Sequence, residues 1–110
     1  MADYGYKVLG QAAPLATTET LLYSVPASTQ AVISTFVCCN RGIISTSFHI
    51  SISTGGVATT DKDYIYYDVV IPKNETFVST IGVTLAATDV VRVWAGNANL
   101  SFSIFGSEYA

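Results

Sequence analysis

Leu100-Ser101-Phe102-Ser103-Ile104 alternates apolar and hydroxyl side chains one residue at a time. An extended chain points successive side chains to opposite faces, so this run suits a strand with one covered face and one wet face, and it suits no helix. The same period recurs along the chain. In Thr46-Ser47-Phe48-His49-Ile50-Ser51-Ile52-Ser53, Phe48, Ile50 and Ile52 fall on the inner side, with Ser47, His49 and Ser51 outside. Across residues 63–71, Ile65, Tyr67, Val69 and Ile71 share one side and Tyr64, Tyr66, Asp68 and Val70 the other. Val91, Val93 and Ala95 alternate with Arg92 and Trp94.

Turn-forming residues punctuate these runs: Pro26-Ala27-Ser28, Asn40-Arg41-Gly42, Thr54-Gly55-Gly56 and Pro72-Lys73-Asn74-Glu75. Further extended segments begin at Tyr6, Leu21 and Thr76, and residues 30–39 form the longest apolar run. Neither face of that run is cleanly polar, which predicts a central strand covered on both sides. Gly96-Asn97-Ala98-Asn99 separates the last two runs, and glycine and asparagine tolerate the positive φ of tight turns, so the C-terminal stretch reads as a hairpin. About eight short strands at spacings of roughly 8–12 residues predict an all-β chain, a single antiparallel β-sandwich of jelly-roll type. Residues 1–5 read as an N-terminal arm and residues 6–110 as the β-sandwich domain, since 110 residues hold one core.

Composition narrows the function. Half of the residues are hydrophobic and only 12% are charged, against about a quarter in an average domain. Serine and threonine, 24 in all, stand in for the missing charge. A small domain exposes much surface, so this poverty predicts that other subunits cover part of it; a monomer solubilised by hydroxyl groups is the alternative. The net charge of −3 and the scattered Lys7, Arg41, Lys62, Lys73 and Arg92 offer no stripe for nucleic acid. No run has the length of a membrane-spanning helix. Met1-Ala2-Asp3-Tyr4-Gly5 lacks the basic-then-apolar pattern of a secretory signal, which predicts a chain made in a cytoplasm.

The chemistry-bearing residues are few. His49 is the single histidine and has no nucleophile-elbow serine to serve, so a structural or interfacial role is expected of it. Asp61, Asp63 and Asp68 could be paired glycosidase carboxylates or oxygen ligands, but their spacing matches no calcium loop, and a solvated loop is expected. Cys38 and Cys39 adjoin within a strand, where neighbouring side chains diverge; they are expected reduced, with at least one buried and no zinc site. No catalytic residue, metal or cofactor is predicted. Tyr64, Tyr66 and Trp94 read as outward aromatics, suited to stacking on sugars or to a subunit interface. Arg92 shares that face and is expected to pair with Asp68 or with a neighbour's carboxylate. Charge depletion favours the interface, with Tyr64, Tyr66, Arg92 and Trp94 as its candidates.

Three blocks carry a resemblance. They are Leu22-Tyr23-Ser24-Val25-Pro26-Ala27 with the apolar run ending Cys39-Asn40-Arg41-Gly42, then Thr84-Leu85-Ala86-Ala87-Thr88-Asp89-Val90-Val91-Arg92-Val93, then Phe105-Gly106-Ser107-Glu108. With Lys7-Val8-Leu9-Gly10-Gln11 and Ala13-Pro14, they resemble small virion structural proteins of tailed bacteriophages, including phages of cyanobacteria. The resemblance implies a non-enzymatic virion protein, made in a bacterial cytoplasm and present in many copies. Its commonest form would be a homo-oligomeric capsid decoration (cement) protein, often a trimer, whose partners are itself and the major capsid protein. A tail, neck or fibre-associated structural or carbohydrate-binding module is the other role it implies. Neither role involves nucleic acid or a membrane.

Overall fold

The computed structural model describes residues 6–110; the expected arm at residues 1–5 lies outside the described residues. Eight strands make up the domain: β1 (Tyr6–Ala12), β2 (Thr20–Ser24), β3 (Gln30–Asn40), β4 (Thr46–Ser53), β5 (Tyr64–Ile71), β6 (Thr76–Leu85), β7 (Val90–Ala95) and β8 (Leu100–Tyr109). They form two four-stranded sheets, ordered β1-β8-β3-β6 and β2-β7-β4-β5, and every pairing is antiparallel. Only the β4–β5 connection stays within one sheet; all the others cross between sheets. That winding is an eight-stranded jelly roll, as the strand spacing predicted.

The alternation places the core. Ile33, Phe36, Cys38, Leu100, Phe102 and Ile104 of the first sheet face Phe48, Ile50, Val91, Val93 and Ala95 of the second, and all are buried. Phe48 meets Phe102 edge-on at 5.9 Å and Phe77 at 5.2 Å, so one ring of the second sheet holds two of the first. Edge-to-face and tilted contacts of this kind add about 0.5–1.5 kcal/mol each beyond the area they bury.

The C-terminal stretch is not a hairpin. β7 pairs with β2 and β4, and β8 pairs with β1 and β3, so residues 96–99 arch from one sheet to the other. Val91 and Val93 therefore meet Leu100, Phe102 and Ile104 across the core instead of sharing a face with them. Both arrangements alternate identically in sequence, which is why the pattern alone suggested the hairpin. The turn does not use positive φ at Gly96, Asn97 or Asn99 either. Gly96 is needed for space: a Cβ there would stand 2.6 Å from Thr46 Oγ1.

A second correction concerns β3. Its register against both neighbours shifts between Ile33 and Thr35, so the inward set changes from Ala31 and Ile33 to Phe36, Cys38 and Asn40. A bulge of this kind moves a strand's side chains to the other face. The strand is interior to its sheet, as expected, but only one of its faces is covered. Val32, Val37 and Cys39 lie on the outer face and are half-buried.

One end of the sandwich is fastened by Asn40, which is buried. Its Nδ2 faces the carbonyls of Ile44 (2.9 Å), Ile71 (3.2 Å) and Pro72 (3.2 Å), and its Oδ1 accepts from the Gly42 N–H (2.9 Å). One amide thus serves the β3–β4 and β5–β6 connections together, leaving none of its own polar atoms stranded in the core. At the β1 edge, Lys7 pairs with Glu108 at 2.7 Å, and Tyr23 of the second sheet donates its hydroxyl to the same carboxylate. Burial, and then Glu108, hold the Tyr23 phenol well above its ordinary range.

Candidate functional site

The outer face of the second sheet carries the chemistry, and β5 explains its form. β5 shifts register twice against β4: between Ser51↔Tyr64 and Ile50↔Tyr66, and between Ile50↔Tyr66 and Phe48↔Val69. Ile65 is the extra residue of the first shift, and Tyr67 and Asp68 together oppose His49 in the second. Each shift resets the two-residue period. Tyr66 consequently turns inward, packing against Phe36 at 6.4 Å and Phe77 at 5.3 Å and sharing a hydrogen bond with Ser79. The expectation that Tyr66 faces out is overturned. Tyr67, expected on the side opposite Tyr64, joins Tyr64 on the outer face.

His49 is the centre of that face. Its imidazole lies between the rings of Tyr67 on β5 and Trp94 on β7, with centroids at 4.1 and 4.2 Å and planes inclined by 18° and 14°. Its Nε2 donates to Asp68 Oδ1 at 2.6 Å. Asp68 reaches back to the ring because its backbone is left-handed, at φ 51°, a region that aspartate tolerates better than most residues. The histidine is outward, as its alternation predicted, yet only 9% exposed, because the two rings cover it. Tyr64 stands edge-on, 5.5 Å from His49 and 4.9 Å from Tyr67. Burial first, then Glu19, Tyr67, Asp61 and Asp63, raise the Tyr64 phenol above its ordinary value.

His49 and Asp68 form a dyad of the kind that orients a general base, but among the described residues His49 bonds to no nucleophile. Both faces of its ring are occupied by stacking.

Arg92 is a fastener. Its guanidinium donates to Ser53 Oγ (3.0 Å), Thr59 Oγ1 (3.2 Å) and the carbonyls of Val57 (2.9 Å) and Gly56 (3.3 Å). It thereby holds the β4–β5 loop against the sheet, where the sequence had suggested a pair with Asp68. Gly55 and Gly56 give that loop its positive φ of 69° and 76°. Asp89 accepts from the N–H groups of Gly55 and Ala86, both at 2.9 Å.

The three loop aspartates are separated. Asp63 is buried and accepts from the Thr60 N–H at 2.9 Å and from Lys62 at 3.1 Å; these bonds, the Thr60 backbone first, hold its carboxyl below the usual range. Asp68 belongs to His49. Asp61 stays exposed and, with Tyr64 and Tyr67, lines a hollow of about 360 Å³. No group of three metal-ligating side chains occurs among the described residues. Tyr67 was not among the sequence candidates, and Asp68 was grouped with the loop aspartates and with Arg92 instead of with His49. An aspartate inside a Tyr- and Val-rich strand was the available sign of a bulge.

The outer face of the first sheet is chemically opposite. Its rows run Tyr6–Ser107–Val32–Thr84, Val8–Phe105–Thr35–Thr80, Gln11–Ser103–Val37–Val78 and Ser101–Cys39–Thr76. None of these side chains is ionised at neutral pH. Val78 is 58% exposed and Val8 49%. The row ends on β6, an edge strand of ten residues with no charge and no proline. Cys38, beneath this face, is buried, and burial followed by the neighbouring Cys39 pushes its thiol up to about 12.

No protein-family model matches the chain, and no curated protein matches its sequence.

Proposed function

We propose that the chain is a non-enzymatic structural protein of a bacteriophage virion: a homo-oligomeric capsid decoration protein, working as a trimer, that binds the major capsid protein. The observation that carries this reading is the uncharged outer face of the β1-β8-β3-β6 sheet. Interface cores are depleted of charge, and a contiguous neutral, partly apolar surface is what a subunit contact needs. Natural edge strands are normally protected by lysine, proline, inward charge or a bulge. β6 has only the last, where Ile81 and Gly82 together oppose Ser34. The resemblance of the strand-end blocks to small phage virion proteins supplies the particle. A decoration protein needs many weak, repeated contacts that add across a lattice, and it needs no reacting group.

Sedimentation equilibrium tests the oligomer, and co-sedimentation with undecorated capsids tests the partner. A trimer that adds to bare capsids at regular lattice positions is expected. A strict monomer, or a trimer that leaves every capsid position empty, would overturn the reading.

A further inference from the structure

The hollow beside the aromatic stack has the composition of a ligand subsite. One face of the Tyr67 ring is covered by His49, and the ring is nevertheless 59% exposed. Tyr64 does not cap the other face. At 4.9 Å from Tyr67 and 5.5 Å from His49, whose own centroids are 4.1 Å apart, its ring stands beside the stack instead of beyond it. The far face of Tyr67 is therefore open, and its near face rests on His49, which Trp94 and the Asp68 carboxylate hold in turn. Such prior ordering lowers the entropic cost of binding.

Asp61 lines the same hollow, and among the described residues neither of its carboxylate oxygens accepts a hydrogen bond, which leaves both able to accept from hydroxyl groups. The volume of about 360 Å³ sits at the small end of the range for small-molecule sites, roughly 300–1,000 Å³. The C–H face of a pyranose suits the electron-rich face of an aromatic ring. Glu19 and Asp61 add negative charge near Tyr64, beyond the Asp63 carboxylate that Lys62 pairs, which disfavours acidic sugars.

We infer that Tyr67, Tyr64 and Asp61 form a subsite for one uncharged hexopyranose ring, stacked on the open face of Tyr67 with its hydroxyls donating to Asp61. The site is separate from the neutral face of the other sheet, so it stands or falls independently of the assembly role.

Saturation-transfer NMR on the full chain tests it, with methyl β-D-glucopyranoside, methyl β-D-galactopyranoside and methyl α-D-mannopyranoside as probes and D-glucuronate as the acidic comparison. At least one neutral pyranoside is expected to receive saturation on its ring C–H protons, and glucuronate none. Tyr67→Ala should weaken that binding about tenfold, equivalent to about 1.4 kcal/mol. Tyr67→Phe, which keeps the stack intact, should bind as the parent does, while Asp61→Ala, an exposed change, should weaken binding at unchanged melting temperature. Absence of transfer to all three neutral probes, preference for glucuronate, or full binding by both Tyr67→Ala and Asp61→Ala would overturn the proposal.

Discussion

The two outer faces of this sandwich start from the same kind of strand and end as different surfaces. On the β1-β8-β3-β6 sheet, outward positions hold Ser, Thr, Val, Phe and Cys39, and no ion. On the β2-β7-β4-β5 sheet they hold His49, Arg92, Tyr64, Tyr67 and Trp94, cross-linked by stacking and by bonds to Asp68 and the β4–β5 loop. The second face ties its histidine and arginine to other groups of the same subunit, although Leu21, Tyr67 and Val70 remain exposed on it. The first face has apolar area still in water and a bare edge beside it. The contrast teaches that charge depletion in a composition is informative chiefly through where it falls: the outward positions of one sheet hold no ion, while those of the other hold Arg92 and Asp68.

Charge placed on each face in turn is the strongest way to break this comparison. Val78→Lys, at the exposed edge of the neutral face, is expected to weaken self-association by roughly a hundredfold or more, because an unpaired charge would be buried at the contact. Val70→Lys, 68% exposed on the second sheet, should leave association unchanged. Sedimentation equilibrium of the two variants measures both, and the reverse outcome would exchange the roles of the faces. A smaller effect, of different kind, is expected of Trp94→Ala. It removes one slice of the Tyr67–His49–Trp94 stack and should cost about 2 kcal/mol of folding stability in urea denaturation, with the oligomer intact. Loss of assembly without loss of stability would make Trp94 a contact residue instead. Smallest is a chemical protection. Iodoacetamide should modify Cys39 in dissociated subunits and spare it in assembled ones, while Cys38, with its thiol pushed up to about 12, stays unmodified in both. Mass spectrometry of the labelled peptide reads the difference, and equal labelling of Cys39 in both states would place the contact elsewhere.

Much of this was legible in the residues. The spans Thr46–Ser53 and Thr76–Leu85 follow directly from alternation and turn residues, and the inward sets of β4, β7 and β8 follow with them. Alternation failed wherever a bulge intervened. The shift at Ser34 on β3 and those at Ile65 and at Tyr67–Asp68 on β5 each add one residue, which exchanges inside for outside downstream. A period of two cannot reveal its own slips, since the residues on either side of one still alternate. For the same reason it could not tell an arch from a hairpin at residues 96–99, because both place the same side chains on the buried side. The candidate site suffered most: Tyr67, which was missed, and Asp68, which was given the wrong partner, are the bulge itself, and Tyr66 was assigned outward by the period that the bulge resets.

The position of β8 between β1 and β3 has a consequence for how the molecule is made. β8 follows the other seven strands in sequence, and β1 joins its sheet only through β8. Pairings between the earliest and latest parts of a chain carry a large loop-closure cost and slow folding to the range of milliseconds to seconds. Without β8, β1 would have no partner and β3 would have one open edge, whereas β4 and β5 of the second sheet pair through a local link. Gly106, where a Cβ would press to 1.9 Å from the Val32 carbonyl oxygen, marks the point where β8 lies tightest against β3.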